Sequence, residues 1–340
     1  MYPNVSYDDV DFRKKVIAMI KRDGFVVVTD VFSDDQCDEH VSNIVGSFEQ
    51  LGTGIDRANV EETWTRYNLP PQTRAGLFQA LASNFPTVWQ IRSNDKIRRI
   101  FQTMYTNFRG DSQDDFIVSG DGINAKPGIV GPYGKKKDWA HIDQTCYEDT
   151  YQCVQGQVVL TDTTACFVAS PKSHLLYDDI RIRFNMAENK RNWFRLSDGQ
   201  IDYVKKRLVK IGGQYQIPIL APKGSCIFWL STTIHSARLQ TECEDGPNDW
   251  DGWRCIVYVC YRPKSEFNTR EINNRIKAYN ENRTTNHWGK LFGKKPGSFH
   301  LYNDPRHPDI MEMIDNPILV YDRVDKPRLN NVQKRLIGRN

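Results

Sequence analysis

A series of short β-rich runs in the middle of the chain constrains the fold more than any other feature. From about residue 116 onward, these runs are separated by Gly, Pro and Asp, which favour turns. They read I-V-S-G-D-G, Q-G-Q-V-V-L-T-D, C-F-V-A-S-P, Y-Q-I-P-I-L-A-P, S-C-I-F-W-L and R-C-I-V-Y-V-C-Y. Many short strands with turns between them are typical of a sandwich or barrel. We therefore predict a mainly β fold with a jelly-roll core and flanking helices.

Helical patterns lie before, within and after this β-rich region. Before it, apolar spacing predicts helices over residues 11–22 and 87–105, with the strand F-V-V-V-T between them. The sequence S-D-D-Q at Ser33 is a capping box, which predicts the start of a further helix. Within the β-rich region, residues 199–209 predict one helical insertion. After it, R-E-I-N-N-R-I-K-A-Y predicts another helix.

Length and composition support one sizeable core. The chain has 340 residues, of which 39% are hydrophobic, enough for a single large domain. We predict a single domain over residues 1–340. Its parts are an N-terminal helical scaffold (1–115), the jelly-roll core (116–265) and a C-terminal wrapping tail (266–340).

Charge and cysteine usage exclude several classes of protein. The net charge is +4, with 46 basic and 42 acidic residues mixed along the chain, so nucleic-acid binding is not indicated. The eight cysteines show no C-x-x-C spacing, which argues against a structural zinc site. We see no signal peptide and no long apolar span. We therefore expect a cytoplasmic or nuclear protein without membrane insertion.

The stretch W-A-H-I-D-Q-T carries the first candidate ligands of a metal. His141 and Asp143 are two residues apart, and side chains alternate along a strand, so both point to the same face. A transition metal held by protein needs at least three ligands. His235, which ends the apolar run I-F-W-L-S-T-T-I-H, is the third candidate, because a jelly roll brings early and late strands together.

These three residues suit a catalytic metal. Two histidines and one carboxylate with open positions form the facial arrangement of non-haem Fe(II) oxygenases, although zinc accepts the same ligands. Arg254 opens the last strand of the β-rich region and points inward with Ile256 and Tyr258. An inward arginine can hold a carboxylate through two parallel hydrogen bonds, as the distal end of 2-oxoglutarate requires. Arg254 therefore favours iron.

The chain also resembles the phytanoyl-CoA dioxygenase family of Fe(II)- and 2-oxoglutarate-dependent oxygenases over roughly residues 12 to 265. The similar segments are I-K-R-D-G-F-V-V-V-T-D-V-F-S, W-A-H-I-D-Q, V-Q-G-Q-V-V-L-T-D-T-T-A-C-F-V-A-S-P-K-S-H and A-P-K-G-S-C-I-F-W-L-S-T-T-I-H. The family's P-G-S-H is S-P-K-S-H here, and the segment between His235 and Arg254 is longer. The tail segment R-T-T-N-H-W resembles one branch of relatives, and we assign it no role.

The resemblance implies a double-stranded β-helix (jelly-roll, cupin-like) core and an enzyme that uses Fe(II), 2-oxoglutarate and O₂ to hydroxylate a small molecule. It implies that His141, Asp143 and His235 are the metal-binding and catalytic residues. The carboxylate Asp143 favours hydroxylation, because related halogenases lack it.

Five residues are weaker candidates for the site. Gln157 occupies an inward strand position and is a candidate contact of the ketoacid or substrate, with ordinary barrel lining as the alternative. Lys126 lies in an N-A-K-P-G segment similar to a Lys-Pro of relatives and is a candidate cofactor contact at the mouth of the cavity, with a solvated lysine that stabilises a turn as the alternative. Gln144 follows Asp143 directly and is a candidate to support the metal ligands from outside. Arg238 and Arg262 are alternative carboxylate binders, although a surface or loop position suits both better.

Other readings stay open at this point. His174 and His287 are interpreted as structural residues, His40 as a surface residue, and Trp229 as barrel core. The insert at 238–253 is a candidate lid.

One alternative function is a catalytically inactive jelly roll that serves binding or structure. Another is an oxygenase that acts on a protein or a nucleic acid base. The oligomeric state is open.

Overall fold

The computed structural model describes residues 2–70, 72, 76–79, 81–110, 115–131, 139–189, 192–240, 242–244, 250–290, 324 and 326–339. Its strands are β1 (Asn4–Ser6), β2 (Phe25–Thr29), β3 (Leu77–Phe78), β4 (Phe116–Val118), β5 (Ile123–Lys126), β6 (His141–Ile142), β7 (Val154–Val159), β8 (Phe167–Ala169), β9 (Phe194–Arg195), β10 (Ile217–Ile219), β11 (Cys226–Leu230), β12 (His235–Ala237), β13 (Arg254–Val259) and β14 (Tyr261–Pro263). Its helices are α1 (Phe12–Asp23), α2 (Asp34–Glu49), α3 (Val60–Thr63), α4 (Pro86–Arg92), α5 (Asp95–Arg109), α6 (Tyr177–Arg183), α7 (Asp198–Lys210), α8 (Thr269–Asn280) and α9 (Asn331–Ile337).

Two facing sheets form the centre of the molecule. The large sheet has the order β1-β2-β11-β7-β13-β5-β3, and the small sheet has the order β10-β8-β12-β6-β9. From β5 to β13 the chain passes repeatedly between the two sheets, so that early and late strands become neighbours. This interleaved order is that of a double-stranded β-helix, and it confirms the predicted fold class.

The central strands β11 and β7 of the large sheet are buried on both faces. In β11, Ile227 and Trp229 pack between the sheets, whereas Cys226, Phe228 and Leu230 pack against the N-terminal helices. The prediction that Trp229 belongs to the barrel interior is confirmed, although its ring also lies beside His235. Because both faces are covered, the sequence C-I-F-W-L is apolar without alternation.

Helices cover the outer faces of both sheets. The largest apolar cluster joins the large sheet to α1, α2, α4 and α5, and a second joins the small sheet to α6 and α7. The helix predicted over 11–22 is α1, and Ser33 caps α2 in a capping box with Gln36, as predicted. The insertion predicted over 199–209 is α7, and the helix predicted after the core is α8.

Several helical segments differ from the prediction. The continuous helix expected over 87–105 is two helices, α4 and α5, because Asn94 leaves the helical conformation and its side chain accepts hydrogen bonds from Lys96 N and Ile97 N. The helices α3, α6 and α9 were not predicted; α6 follows directly after a turn of 3₁₀ helix, Ser173–Leu176, that contains His174.

The N-terminal region contributes strands as well as helices. β2 pairs antiparallel with β11, and β3 pairs with β5, so strands from before residue 116 extend the large sheet. The proposed division at residues 115 and 265 stays a prediction. Among the helices in the described part of the chain, none has the length and apolar character needed to cross a membrane.

Candidate metal centre and its cavity

Three potential metal ligands meet between the sheets. His141 and His235 form a directly opposed pair of β6 and β12, and Asp143 follows β6. His141 Nε2 lies 3.6 Å from Asp143 Oδ1, and His235 Nε2 lies 3.3 Å from Asp143 Oδ2. All three side chains are buried, and their ligand atoms lie within 4.8 Å of one another. The structure thus brings together the three residues predicted from the sequence.

His235 reaches this position in a different way from the one predicted. The sequence analysis placed it at the end of the strand that contains C-I-F-W-L, but that strand, β11, ends at Leu230. Thr233 N then donates to Leu230 O in a turn, and His235 begins β12 in the other sheet. The turn is needed because β11 belongs to the large sheet, whereas His141 lies in the small one.

Both imidazoles are oriented by backbone carbonyls. His141 Nδ1 lies 3.2 Å from Trp139 O, and His235 Nδ1 lies 2.9 Å from Thr233 O. A carbonyl oxygen only accepts, so in each ring Nδ1 is the donor and Nε2 carries the lone pair. Metal-binding histidines are typically held in this way, with the second ring nitrogen fixed by a carbonyl or carboxylate.

Gln155 and Ser231 hold the Asp143 carboxylate. Gln155 Nε2 donates to Asp143 Oδ2 at 3.0 Å and to Ser231 Oγ at 3.1 Å. Burial would raise the pKa of Asp143, but the positive charge of protonated His141, His287 and His235 outweighs burial and holds that pKa well below its usual range when no metal is bound. A metal ion held by the neutral rings would supply the positive charge in their place.

The residues that support Asp143 were not predicted from the sequence. Gln155 lies two residues before Gln157 on β7, so the alternation that singled out Gln157 was a sufficient signal for Gln155 as well. His287 was interpreted as structural, yet His287 Nε2 and Trp288 Nε1 both lie within 3.2 Å of Asp143 O. The segment R-T-T-N-H-W thus contacts the backbone of a metal ligand.

The three ligands line a cavity of about 250 Å³. Its other lining residues are Leu77, Gln79, Asp121, Trp139, Gln155, Gln157, Phe167, Trp193, Trp229, Ser236, Ala237, Arg254, Tyr258 and His287. A larger surface groove of about 890 Å³ runs along α1 and α5, but the described residues that line it include no histidine, cysteine or carboxylate. The groove is therefore not a candidate metal site, although it is larger than the cavity.

Arg254 lies in the cavity wall, as predicted. It is 2% exposed, and among the described residues no carboxylate oxygen lies within 4 Å of its guanidinium. Tyr258 lines the same cavity two inward positions further along β13; burial raises its pKa, and a hydrogen bond with Arg254 opposes that rise. Gln157 is directly opposite Tyr258 on β7. This wall of the cavity therefore presents the buried guanidinium of Arg254 together with the polar side chains of Tyr258 and Gln157.

The weaker sequence candidates have different positions. Lys126 is buried directly opposite Arg254 on β5, but it is not among the residues that line the cavity. Gln144 donates to Tyr147 O and Asp149 O, so its side chain supports the following loop.

The two alternative arginines are engaged elsewhere. Arg238 donates to Thr164 O in a loop, as the sequence analysis expected. The surface or loop position expected for Arg262 is wrong: Arg262 is buried and pairs with Glu266. Its guanidinium lies over the Trp288 ring, 4.7 Å from the ring centroid, and Glu266 compensates its charge. His40 is half-buried and contacts Thr87, in place of the predicted surface position. Parts of the candidate lid, residues 241 and 245–249, lie outside the described residues.

Comparison with known proteins identifies the family. A sequence model of the phytanoyl-CoA dioxygenase (PhyH) family matches residues 20–241, well over half of the chain. The chain belongs to the phytanoyl-CoA dioxygenase family. Membership confirms the resemblance seen in the H-x-D segment and in the segment that ends at His235, since the matched region includes both.

Individual relatives of the family are distant. The chain is 24% identical over 142 residues to the Ava biosynthesis cluster protein O of Aspergillus versicolor. That match covers 40% of this chain and 42% of the relative, so the chain spans less than half of the length of this curated relative. A hypothetical protein of Escherichia coli has a similar structure, with a TM-score of 0.58 and 14% identity over 100% of this chain and 85% of that one. This likeness shows a shared fold.

A second solved structure is similar at a lower level. It is the epimerase SnoN in complex with Fe³⁺, alpha-ketoglutarate and nogalamycin RO, with a TM-score of 0.47 and 17% identity over 75% of this chain and 85% of that one.

Proposed function

We propose that this protein is an Fe(II)- and 2-oxoglutarate-dependent dioxygenase that hydroxylates a small molecule. One observation carries the proposal: a single cavity joins two histidines and an aspartate to a buried arginine with no carboxylate partner among the described residues. The two histidines and the aspartate suit a metal with open coordination positions. The buried arginine suits the distal carboxylate of a ketoacid.

The donor atoms fit ferrous iron. The Nε2 atoms of His141 and His235 carry the lone pairs, because both Nδ1 atoms donate to carbonyls. Asp143 supplies a charged oxygen, and Gln155 fixes its orientation. No thiolate joins the three donors in the described cluster, and nitrogen and carboxylate ligands are those of the non-haem iron oxygenases.

Arg254 is the proposed anchor of 2-oxoglutarate. Leaving an arginine buried without an anion is costly, so the cavity favours a ligand that brings a carboxylate to it. Gln157 and Tyr258 are opposite each other on β7 and β13 and line the same cavity as Arg254, and they are the proposed hydrogen-bond partners of the ketoacid. Lys126 stays a weaker candidate, since it faces Arg254 across the sheet but does not line the cavity.

When bound, Fe(II) and 2-oxoglutarate supply the O₂-dependent oxidation of a substrate C–H bond. The protein places the participants. His141, Asp143 and His235 fix the metal at one end of the cavity, Arg254 fixes the ketoacid, and the surrounding aromatic side chains exclude water. A carboxylate at position 143 favours hydroxylation, because it occupies the position that a halide would need.

A small-molecule substrate is supported by the size and position of the cavity. The cavity of about 250 Å³ lies between two sheets whose outer faces are covered by helices. The fungal relative is named as a protein of a biosynthesis cluster, which agrees with a small metabolite. An inactive jelly roll has less support, because such a protein would have no physical reason to keep three oriented donors and a buried cation.

The proposal is tested by anaerobic titration. The protein is loaded with Fe(II) and 2-oxoglutarate, the ferrous-ketoacid charge-transfer band is recorded, and succinate release is measured after air is admitted. We expect the band and succinate in wild type, loss of both in His141→Ala, and weaker ketoacid binding in Arg254→Ala. A wild-type protein that shows neither band nor succinate would not be an oxygenase. Unchanged ketoacid affinity in Arg254→Ala would move the anchor to another arginine.

A further inference from the structure

Two polar groups in the cavity serve neither the metal nor the ketoacid. They are Asp121, in the loop before β5, and Gln79, directly after β3. Gly122, next to Asp121, accepts a hydrogen bond from Tyr258 N at 3.3 Å, which fixes this group beside the end of β13 furthest from Arg254. A carboxylate here has no role in holding the proposed cofactors.

The Asp121 carboxylate has no cation of its own. Among the described residues, no Lys, Arg or His nitrogen lies within 4 Å of it. Gly122 N donates to Oδ1 at 2.7 Å, and the Gln79 side chain also hydrogen-bonds to the carboxylate. Arg92 is close, but its guanidinium donates to the backbone oxygens of Ser83 and Asp121. Burial raises the pKa of Asp121, with His287 and Arg92 acting against it. The carboxylate therefore keeps acceptor capacity toward the cavity.

Two tryptophans line the cavity next to a metal ligand. Trp139 stacks on the His141 ring with centroids 4.4 Å apart and an interplanar angle of 14°, and Trp193 lies 5.9 Å from the same ring. Both indoles are partly exposed, in contrast to the buried Trp229. Indole faces attract organic cations more strongly than other aromatic side chains do. They also pack against flat apolar groups.

We propose that Asp121, Trp139 and Trp193 recognise a small-molecule substrate that carries a positively charged nitrogen. The inference rests on the proposed oxygenase function and names the substrate class for the same cavity. Asp121 binds the nitrogen through a charge-assisted hydrogen bond, and the two indoles contact the body of the molecule. Because Trp139 and Trp193 lie against His141, a substrate held by them presents its carbon atoms to the metal site.

A cationic ligand would compensate the negative charge of Asp121. An ionised carboxylate in a water-poor cavity is destabilised unless a donor or cation reaches it. Arg254 is a buried cation in the same cavity, and the carboxylate of the ketoacid is proposed to compensate its charge. Among the described residues, the cavity thus has a cation, Arg254, and a carboxylate, Asp121, that each have hydrogen-bond partners but no partner of opposite charge within 4 Å. It favours one anionic and one cationic ligand together.

The test uses three probes that share one indole ring. They are tryptamine, which is a cation, indole-3-ethanol, which is neutral, and indole-3-propionate, which is an anion. Binding is measured by calorimetry under anaerobic conditions to full-length protein that holds Fe(II) and 2-oxoglutarate. We expect tryptamine to bind about tenfold more tightly than indole-3-ethanol, the scale of one hydrogen bond to a charged group.

Asp121→Asn is the informative variant, because its retained side-chain oxygen can still accept from Gly122 N. We expect it to remove the preference for tryptamine. Asp95→Asn, at an exposed helix position, is the control and should keep the preference. Equal binding of tryptamine and indole-3-ethanol, no binding of any probe, or a preference that survives in Asp121→Asn would overturn the inference.

The two proposals fail separately. The charge-transfer band of the wild-type protein is recorded in the same samples. If the charge-transfer band is missing but the preference for tryptamine depends on Asp121, the oxygenase proposal is contradicted and the proposed cation site stands. A normal band with no preference would contradict the cation site alone.

Discussion

At the scale of single residues, the site depends on atoms that orient the metal ligands as much as on the ligands. Each histidine is fixed by one carbonyl, and Asp143 is fixed on its side chain by Gln155 and on its backbone by His287 and Trp288. Partners of this kind typically change metal affinity when they are removed, although they do not touch the metal.

The first prediction concerns Gln155. Gln155→Met removes the donor to Asp143 Oδ2 while it keeps a side chain of similar length, so the carboxylate loses its fixed orientation. We expect Co(II) affinity, measured by calorimetry, to fall by about 10- to 100-fold. The matched control is Gln157→Met, which changes the next inward position of β7 and should leave Co(II) affinity unchanged. Equal affinities in the two variants would show that Gln155 does not position Asp143.

At the scale of elements, the turn between β11 and β12 determines where His235 lies. This turn packs on the end of α1: Leu230 N and Thr233 Oγ1 both donate to Gly24 O at 2.9 Å. Gly24 has φ 85°, and a Cβ there would lie 2.5 Å from Thr233 Oγ1. Glycine is required for two reasons, the left-handed backbone and the close approach of the turn.

The second prediction compares two glycines that end helices. Gly24→Ala and Gly110→Ala both place alanine at positive φ, which costs about 1 kcal/mol, but Gly110 has no atom within 4 Å of the added Cβ. We expect Gly24→Ala to lower the free energy of unfolding by roughly 1–3 kcal/mol more than Gly110→Ala, because the added carbon displaces the turn. Urea denaturation measures both. Similar losses would show that the turn adapts without strain.

At the scale of the whole molecule, the metal site joins the two sheets and the C-terminal segment. His141 and His235 belong to the small sheet, Gln155 belongs to the large sheet, and His287 and Trp288 follow α8. A metal bound at these residues stabilises only the folded chain, because the ligands are far apart in sequence and meet only after folding.

The third prediction follows from this linkage. Co(II) at about 100 times its dissociation constant should stabilise the folded protein by about 2.7 kcal/mol. The melting temperature should rise by several degrees in wild type and stay unchanged in His141→Ala, as measured by calorimetric melting with and without metal. A rise of the same size in His141→Ala would place the Co(II) elsewhere.

The fourth prediction concerns a buried ion pair that connects distant parts of the chain. Glu266 pairs with Arg262 after the core and with Arg109 at the end of α5, and the Glu266 side chain is 9% exposed. Glu266→Gln leaves Arg262 buried without an anion, so we expect a loss of about 3–5 kcal/mol of unfolding free energy in urea.

The control for that variant is an exposed pair. Asp95 pairs with Arg98, but its side chain is 73% exposed, and Asp95→Asn should change the unfolding free energy by less than about 1 kcal/mol. Comparable losses in Glu266→Gln and Asp95→Asn would mean that burial of the pair contributes nothing.

The sequence by itself determined the β-rich core, the helices α1, α2, α7 and α8, and the candidate ligands His141, Asp143, His235 and Arg254. These features are local: period-two and helical spacing, capping boxes and the chemistry of single side chains can be recognised without knowing what packs against them. The family resemblance added a topology, and the observed strand order agrees with it.

Only the tertiary structure decided what surrounds those ligands. The contacts of His287 and Trp288 with Asp143, the turn that places His235 in the small sheet and the cavity position of Asp121 join segments that are far apart in the chain. Such contacts depend on how the sheets and helices pack, and spacing within one segment contains no information about them. The break between α4 and α5 has a local cause instead, since the side-chain cap at Asn94 outweighs a continuous apolar stripe.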